Sequence, residues 1–167
     1  MSFNGKVVVV DNPQADKLEY KKLILNALQI SRWLRVPLRI LVADFDRLLS
    51  GAALLRGQRS KGRIEWIALG NGRSYESTVY EEIEELEEGL LVLGVIREEE
   101  KKGRLEEWRV RLLGKCKMPI MMLPAGYGLR ETGFQSFLVP MSGETRSNSA
   151  LDWAIRRGNE LGVPVDV

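Results

Sequence analysis

The chain repeats itself, and that repeat limits what it can fold into. Ile24, Ala27, Leu28, Ser31 and Leu34 have the i, i+3, i+4, i+7 spacing of one helical face. An offset of 127 (164 − 37, from Pro37 to Pro164) carries them onto Leu151, Ala154, Ile155, Gly158 and Leu161. Ser31 and Gly158 are both small, as a helix lying close on a sheet requires. Val36-Pro37-Leu38 then corresponds to Val163-Pro164-Val165. Proline just past each helix end cannot continue the helix. Residues 137–167 therefore read as strand, polar turn, helix, turn and the start of another strand, the same plan as residues 6–43. The expected organisation is one complete repeat over residues 1–124, a Gly-rich linker over 125–133, and the first part of a second repeat (β-α-β) over 134–167.

Residues 6–10 form a β-branched run, the signature of a strand buried on both faces. A polar turn from Asp11 to Asp16 follows, and Asp16 can cap a helix over 17–35. The second strand is expected over 38–43. Phe45, Leu48, Leu49, Ala52 and Leu55 suggest a short helix, followed by a basic loop over 57–62 and a third strand over 63–69. Gly70-Asn71-Gly72 breaks that strand. Ser74 can cap a third helix, with Tyr75, Val79, Ile83 and Leu86 as its stripe and Gly89 as its end. The glutamates on its other faces read as a solvated surface, although Glu87 and Glu88 would sit badly at a negative helix end. A fourth strand over 90–95, a charged loop over 97–104, a helix with Leu105, Trp108 and Leu112 inward, and a fifth strand over 119–123 complete the repeat. Strands alternating with helices predict an α/β fold: a parallel, doubly wound sheet with right-handed crossovers. A ligand would sit beyond the carboxyl ends of the strands, where the strand order switches. With the first and fourth strands as neighbours, that place is made by residues 11–16 and 94–104.

Composition removes several chemistries. The chain has no histidine, which excludes Ser-His triads, histidine metal sites and imidazole acid–base catalysis. The single Cys116 has no partner for an internal disulfide. Between Lys115 and Lys117 it is either a thiol of lowered pKa or a small packing residue at a helix end. No apolar run reaches the roughly 18 residues of a membrane span, and the opening MSFNGKVVVVD lacks the apolar region of a signal peptide. A cytoplasmic protein is the expectation. Twelve of the 23 acidic residues lie between Glu76 and Glu107 against four basic ones, which leaves the rest of the chain basic. No Arg/Lys groove with interleaved aromatics occurs, so no nucleic-acid partner is expected.

The order of these pieces resembles the universal stress protein family. FLVPMSGETRSNSALDWAIRRGNELGVPVDV is similar to that family's opening strand, V-P-x-D-G-S turn and first helix. GLLVLGVIREEEKKGRLEEWRVRLLGKCKMPIMMLP is similar to its closing half. The resemblance implies a five-stranded parallel sheet in the order 3-2-1-4-5, tandem repeats and dimers. Nucleotide-binding members carry G-x2-G-x9-G-[ST] between the fourth strand and fourth helix. Here Gly94 stands for the first glycine, Arg97 replaces the second, and Glu106-Glu107 replace the glycine and hydroxyl residue. Gly103 and Gly114 do not restore the spacing, and Glu98, Glu99 and Glu100 would repel a triphosphate. Ser142 stands where the family's first-turn Asp is usual, and Asp11 keeps that role in the first repeat.

The resemblance thus implies a vestigial nucleotide site at Asp11, Ala43, Gly94 and Arg97, and no bound cofactor. It implies a non-catalytic regulatory or interaction domain. Cytosolic domains of membrane transporters such as cation–chloride cotransporters and amino-acid permeases are one setting in which such domains occur. An incomplete second repeat suits a piece of a longer parent chain. The alternatives are an adenine-nucleotide-binding stress protein with a remodelled site, and an enzyme of another doubly wound family. The partial repeat offers two strands and one helix, too few to stand alone. It should pack on the first repeat or pair with a second copy of the chain, through residues 137–140 or 163–167.

Overall fold

Four successive valines, Val7 to Val10, are each at most 2% exposed. They make Lys6–Val10 (β1) the centre of a sheet buried on both faces, as a β-branched run demands. The computed structural model describes residues 5–58, 63–70, 74–86, 88–124, 127–129, 134–139 and 145–167. Asn71, Gly72, Glu87, Ser142, the middle of the basic loop and most of the linker lie outside these. Two compact units are present, residues 1–128 and 129–167.

In the first unit, β1 is followed by α1 (Lys17–Leu34), β2 (Leu38–Val42), α2 (Phe45–Leu55), β3 (Ile64–Ala68), α3 (Tyr75–Glu84), β4 (Gly89–Gly94), α4 (Arg97–Lys102), α5 (Glu107–Lys115) and β5 (Ile120–Leu123). All strand pairs are parallel and the order is β3-β2-β1-β4-β5, the order expected. Right-handed crossovers place α1 and α2 on one face and α3 and α5 on the other, in keeping with the α1–α2 and α3–α5 contacts. On the second face Val8, Val10, Leu91 and Leu93 pack with Val79, Ile83, Trp108 and Leu112. Each such side chain contributes about 1.5–3 kcal/mol by leaving water.

Asp16 caps α1 as expected: its Oδ1 accepts from the amides of Leu18 and Glu19, both at 2.8 Å, and Glu19 returns the bond to the Asp16 amide. Ser74 makes no side-chain cap on α3. That helix also stops at Glu84 rather than at Gly89, so Glu88 never meets the negative helix end.

One further expectation is corrected. Residues 97–102 are a helix, not a charged loop. Glu98, Glu99 and Glu100 fill its first turn and Lys101 and Lys102 its last, as the helix dipole favours, and left-handed Gly103 ends it. The short helix expected over 45–55 is present as α2. Gly51 and Leu55 are buried, with the partly buried Arg47 one turn ahead of them, while Phe45 and Leu49 are exposed. Gly51 decides this: a Cβ there would lie 2.4 Å from both Trp66 Cη2 and Tyr20 Oη. The helix can press on those rings only through a glycine. In α5, Leu105 lies before the helix, and Arg109 joins Trp108 and Leu112 inside.

The second unit contains β6 (Phe137–Leu138), α6 (Thr145–Leu161) and β7 (Val165–Asp166), with β6 and β7 parallel. Its internal geometry repeats that of β1-α1-β2. The amide of Val36 donates to Ser31 O at 3.1 Å, and that of Val163 to Gly158 O at 2.9 Å. Val7 and Phe137 donate to Pro37 O and Pro164 O, each at 2.9 Å. Both helices end on a left-handed residue, Arg35 (φ 56°) and Gly162 (φ 68°). The first strands match at an offset of 130 (137 − 7) and the strands after the helices at 127 (165 − 38), so the stretch from one strand to the next is three residues shorter in the second copy. Of the inward stripe expected for α6, Ala154 and Gly158 are buried and Leu151 and Leu161 half-buried, but Ile155 is exposed, and Trp153 and Arg157 are buried in addition. Trp153 meets Phe137 edge-on at 5.6 Å, and a Cβ on Gly158 would lie 2.7 Å from Val165 Cγ2.

Candidate functional site

The sheet brings Asp11, Ala43 and Gly94 to one edge, at the carboxyl ends of β1, β2 and β4, and Arg97 opens α4 beside them. This is the switch point in strand order, where α/β sheets bind ligands. The chain's own charged side chains occupy that edge.

The first occupant is Arg47, from the first turn of α2. Its Nη1 donates to Asp11 Oδ1 at 2.8 Å, and its Nη2 donates to Pro13 O at 3.0 Å and Ala15 O at 2.8 Å. The guanidinium therefore ties the β1–α1 turn to α2, and it lies 5.2 Å from the Tyr20 ring centroid. The Tyr20 hydroxyl donates to Arg47 O at 2.6 Å. From the other face, the Tyr75 hydroxyl donates to Asp11 O. Asp11 is 1% exposed. Its Oδ2 is buried with no partner at hydrogen-bonding geometry among the described residues, although the nearby Ala43 amide still favours its ionised form. Burial dominates and raises the carboxyl from 3.8 to about 6, against the pull of Arg47.

The second occupant is Glu99. Its Oε2 accepts from the Ile96 amide and its Oε1 from the Glu106 amide, both at 3.1 Å. Arg109 Nη1 donates to the same carboxylate, and Arg109 Nη2 donates to Gly94 O at 2.8 Å. Glu99 and Arg109 are 3% and 1% exposed. Glu19 does the same service next door: its Oε1 accepts from the Arg97 amide at 2.9 Å. The amides of Ile96, Arg97 and Glu106 are all satisfied by side-chain carboxylates. Of the sequence-expected residues, Arg97 contributes its amide, while its side chain is exposed.

No protein-family model, curated protein or solved structure matches this chain. The arrangement itself must say what the edge can do. A small cleft remains beside α1, between Asn12, Glu19 and Lys22 on one side and Gly94, Ile96 and Leu123 on the other. Its free volume of about 20 Å³ suits a water or two. The buried Asn12 Nδ2 at its wall has no partner among the described residues, which such a water would supply. Among the described residues no cluster of three metal-ligating side chains occurs, and no helix is long and apolar enough to cross a membrane.

Sequence reasoning overlooked Arg47, Glu99 as a ligand of the backbone, and Arg109. The signal was present for the two arginines. Each falls on an inward helical stripe, Arg47–Gly51–Leu55 and Leu105–Arg109–Leu112, where a charge needs a buried partner. Of the two readings of Cys116, the structure favours the packing residue. Burial raises its thiol pKa, and neither flanking lysine reverses that. Its Sγ is 3.5 Å from Met118 O, as suits a packing residue at a helix end.

Proposed function

We propose that this chain is a non-catalytic, universal-stress-protein-like domain that acts by interaction, its nucleotide-binding edge closed by its own side chains. The observation that carries this reading is the Glu99 carboxylate, held by two backbone amides and buried Arg109. A phosphate would need the same amides and the same cation, and would have to displace a carboxylate already bonded to them. Arg47 fills the neighbouring part of the edge in the same way.

Titration calorimetry with MgATP tests the reading. No saturable heat is expected, and a low-micromolar dissociation constant would overturn it in favour of a nucleotide-binding protein. That alternative draws its support from the convergence of Asp11, Ala43 and Gly94 on one edge.

The setting we assign is the cytosolic regulatory domain of a membrane transporter, on the strength of the family resemblance. A parent gene without membrane spans would refute it. The assigned partner is a second copy or the rest of a parent chain. Cutting after Ala125 tests the role of the partial repeat. A fragment that kept both the oligomeric state and the melting temperature of the whole chain would show that the repeat contributes to neither.

A further inference from the structure

The outward face of α2 takes no part in the site described above. Phe45, Leu49, Ala53 and Arg56 follow one another at i, i+4, i+8 and i+11, so they form a single ridge, and all four are exposed. Phe45 is 62% and Leu49 52% exposed. The helix thus seats itself through Gly51 and Leu55 and turns Phe45 and Leu49 to water. Leu18 and Val110, also exposed, sit singly on other helices and need no explanation.

Charge at the carboxyl end of this ridge has one sign. Arg56 caps α2, Arg35 caps α1, and Arg63, with its side chain 83% exposed, leads into β3. Arg32 in the last turn of α1 donates to Gln58 Oε1 at 3.1 Å, which ties the two helix ends together. No carboxylate occurs in the sequence between Asp46 and Glu65. Glu65 is taken by Arg39 at 2.9 Å and Lys6 at 3.7 Å, and touches Arg63 only at 3.9 Å. Helix dipoles account for cations at helix ends. They do not account for an exposed Phe and Leu on the ridge that leads to them.

We propose that this face docks on an anionic membrane surface. Phe45 and Leu49 enter the boundary between headgroups and acyl chains, and Arg35, Arg56 and Arg63 meet the lipid anions. A convex apolar ridge suits a surface that deforms around it. Leu49 and Ala53 would gain nothing from a nucleic-acid backbone. Asp44 and Asp46 flank Phe45 at the amino end of the ridge, about 15–18 Å from Arg56 at 1.5 Å per residue; Asp44 is occupied in capping Arg47 N, and Asp46 opposes the docking. The proposal stands whether or not the sheet edge binds nucleotide.

Co-sedimentation of the whole chain with vesicles tests it, using phosphatidylcholine alone and phosphatidylcholine mixed with phosphatidylserine. Binding is expected only to the serine-containing vesicles and should weaken as salt rises. Phe45→Gln with Leu49→Gln should lower the partition coefficient about tenfold or more, the loss of two apolar insertions. Arg56→Gln with Arg63→Gln should also lower it, and Asp46→Asn should raise it. These side chains are exposed, so the melting temperature should stay put and report that the variants are folded. Absence of binding to the anionic vesicles at low salt would overturn the proposal. So would binding indifferent to the Phe45 and Leu49 substitutions, or tighter binding to single-stranded RNA or to an acidic protein than to the vesicles.

Discussion

Replacing Asp11 by Asn should change how stability depends on pH. Burial lifts the Asp11 carboxyl from 3.8 to about 6 in the folded chain. Between those values the folded chain holds a proton that the unfolded chain has lost. The stability this group supplies is therefore full below about 3.8 and is lost as pH rises through about 6. The gap of about 2.2 corresponds to about 3 kcal/mol by neutral pH, which charged Asp11 costs relative to its neutral form. Asn has the same shape, never ionises, and can still accept from Arg47 through its Oδ1. At low pH the wild-type carboxyl is neutral too, so Asn gives up little there, and the stronger bond that ionised Asp11 makes to Arg47 is already contained in the value of about 6. Thermal melts of both proteins from pH 4 to 7.5 isolate the effect, because the other carboxyls titrate in both and cancel in the difference. The melting temperature of the Asn variant minus that of the wild type should rise by about 6–12 °C over this range, the value of about 3 kcal/mol for a chain of this length. A difference flat across the range would refute the reasoning. It would mean either that Asp11 is ionised without penalty or that it stays protonated throughout.

Three other outcomes follow from the geometry. Glu99→Ala leaves Arg109, 1% exposed, without its carboxylate, and should cost about 3–5 kcal/mol in urea unfolding. Adding Arg109→Leu should recover part of that. Gly51→Ala forces a Cβ to within 2.4 Å of Trp66 and Tyr20, and should cost about 1–3 kcal/mol, with a change in tryptophan fluorescence as Trp66 is displaced. Cys116, whose thiol pKa burial raises, should react with iodoacetamide more slowly than free cysteine at pH 8. A faster reaction would show that Lys115 and Lys117 set its chemistry after all.

The sheet was legible because its signals are local and redundant. Val7 to Val10 admit little but a buried strand, and the Ser31–Val36–Pro37 pattern recurs as Gly158–Val163–Pro164 with the same backbone bonds in both copies. The α4 helix was missed because a run of like charges in REEEKK reads as solvated loop. Its acids precede its bases, however, and that polarity is what a short helix needs. The apolar spacing of 45–55 showed a helix but not which side of α2 faces the sheet, because the helix approaches Trp66 and Tyr20 along the side that carries Gly51. In α6 the large Trp153 side chain faces Phe137, and Ile155 is left exposed.

The site was half legible, and the missing half lies in which atoms face which. The sequence could show that carboxylates stand where a phosphate-binding loop would want glycines, and repulsion followed from that. It could not show that one of the three, Glu99, turns inward while Glu98 and Glu100 stay in water. Once inside, Glu99 does more than repel a phosphate. It accepts the bonds from Ile96 and Glu106 that a phosphate would take, and it neutralises Arg109. The same logic holds at the other end of the edge, where Arg47 meets Asp11 and two turn carbonyls. Unpaired, each of these buried charges would be too costly to keep. The two pairs hold the β1–α1 turn and the β4–α5 segment in place by bonds internal to the chain.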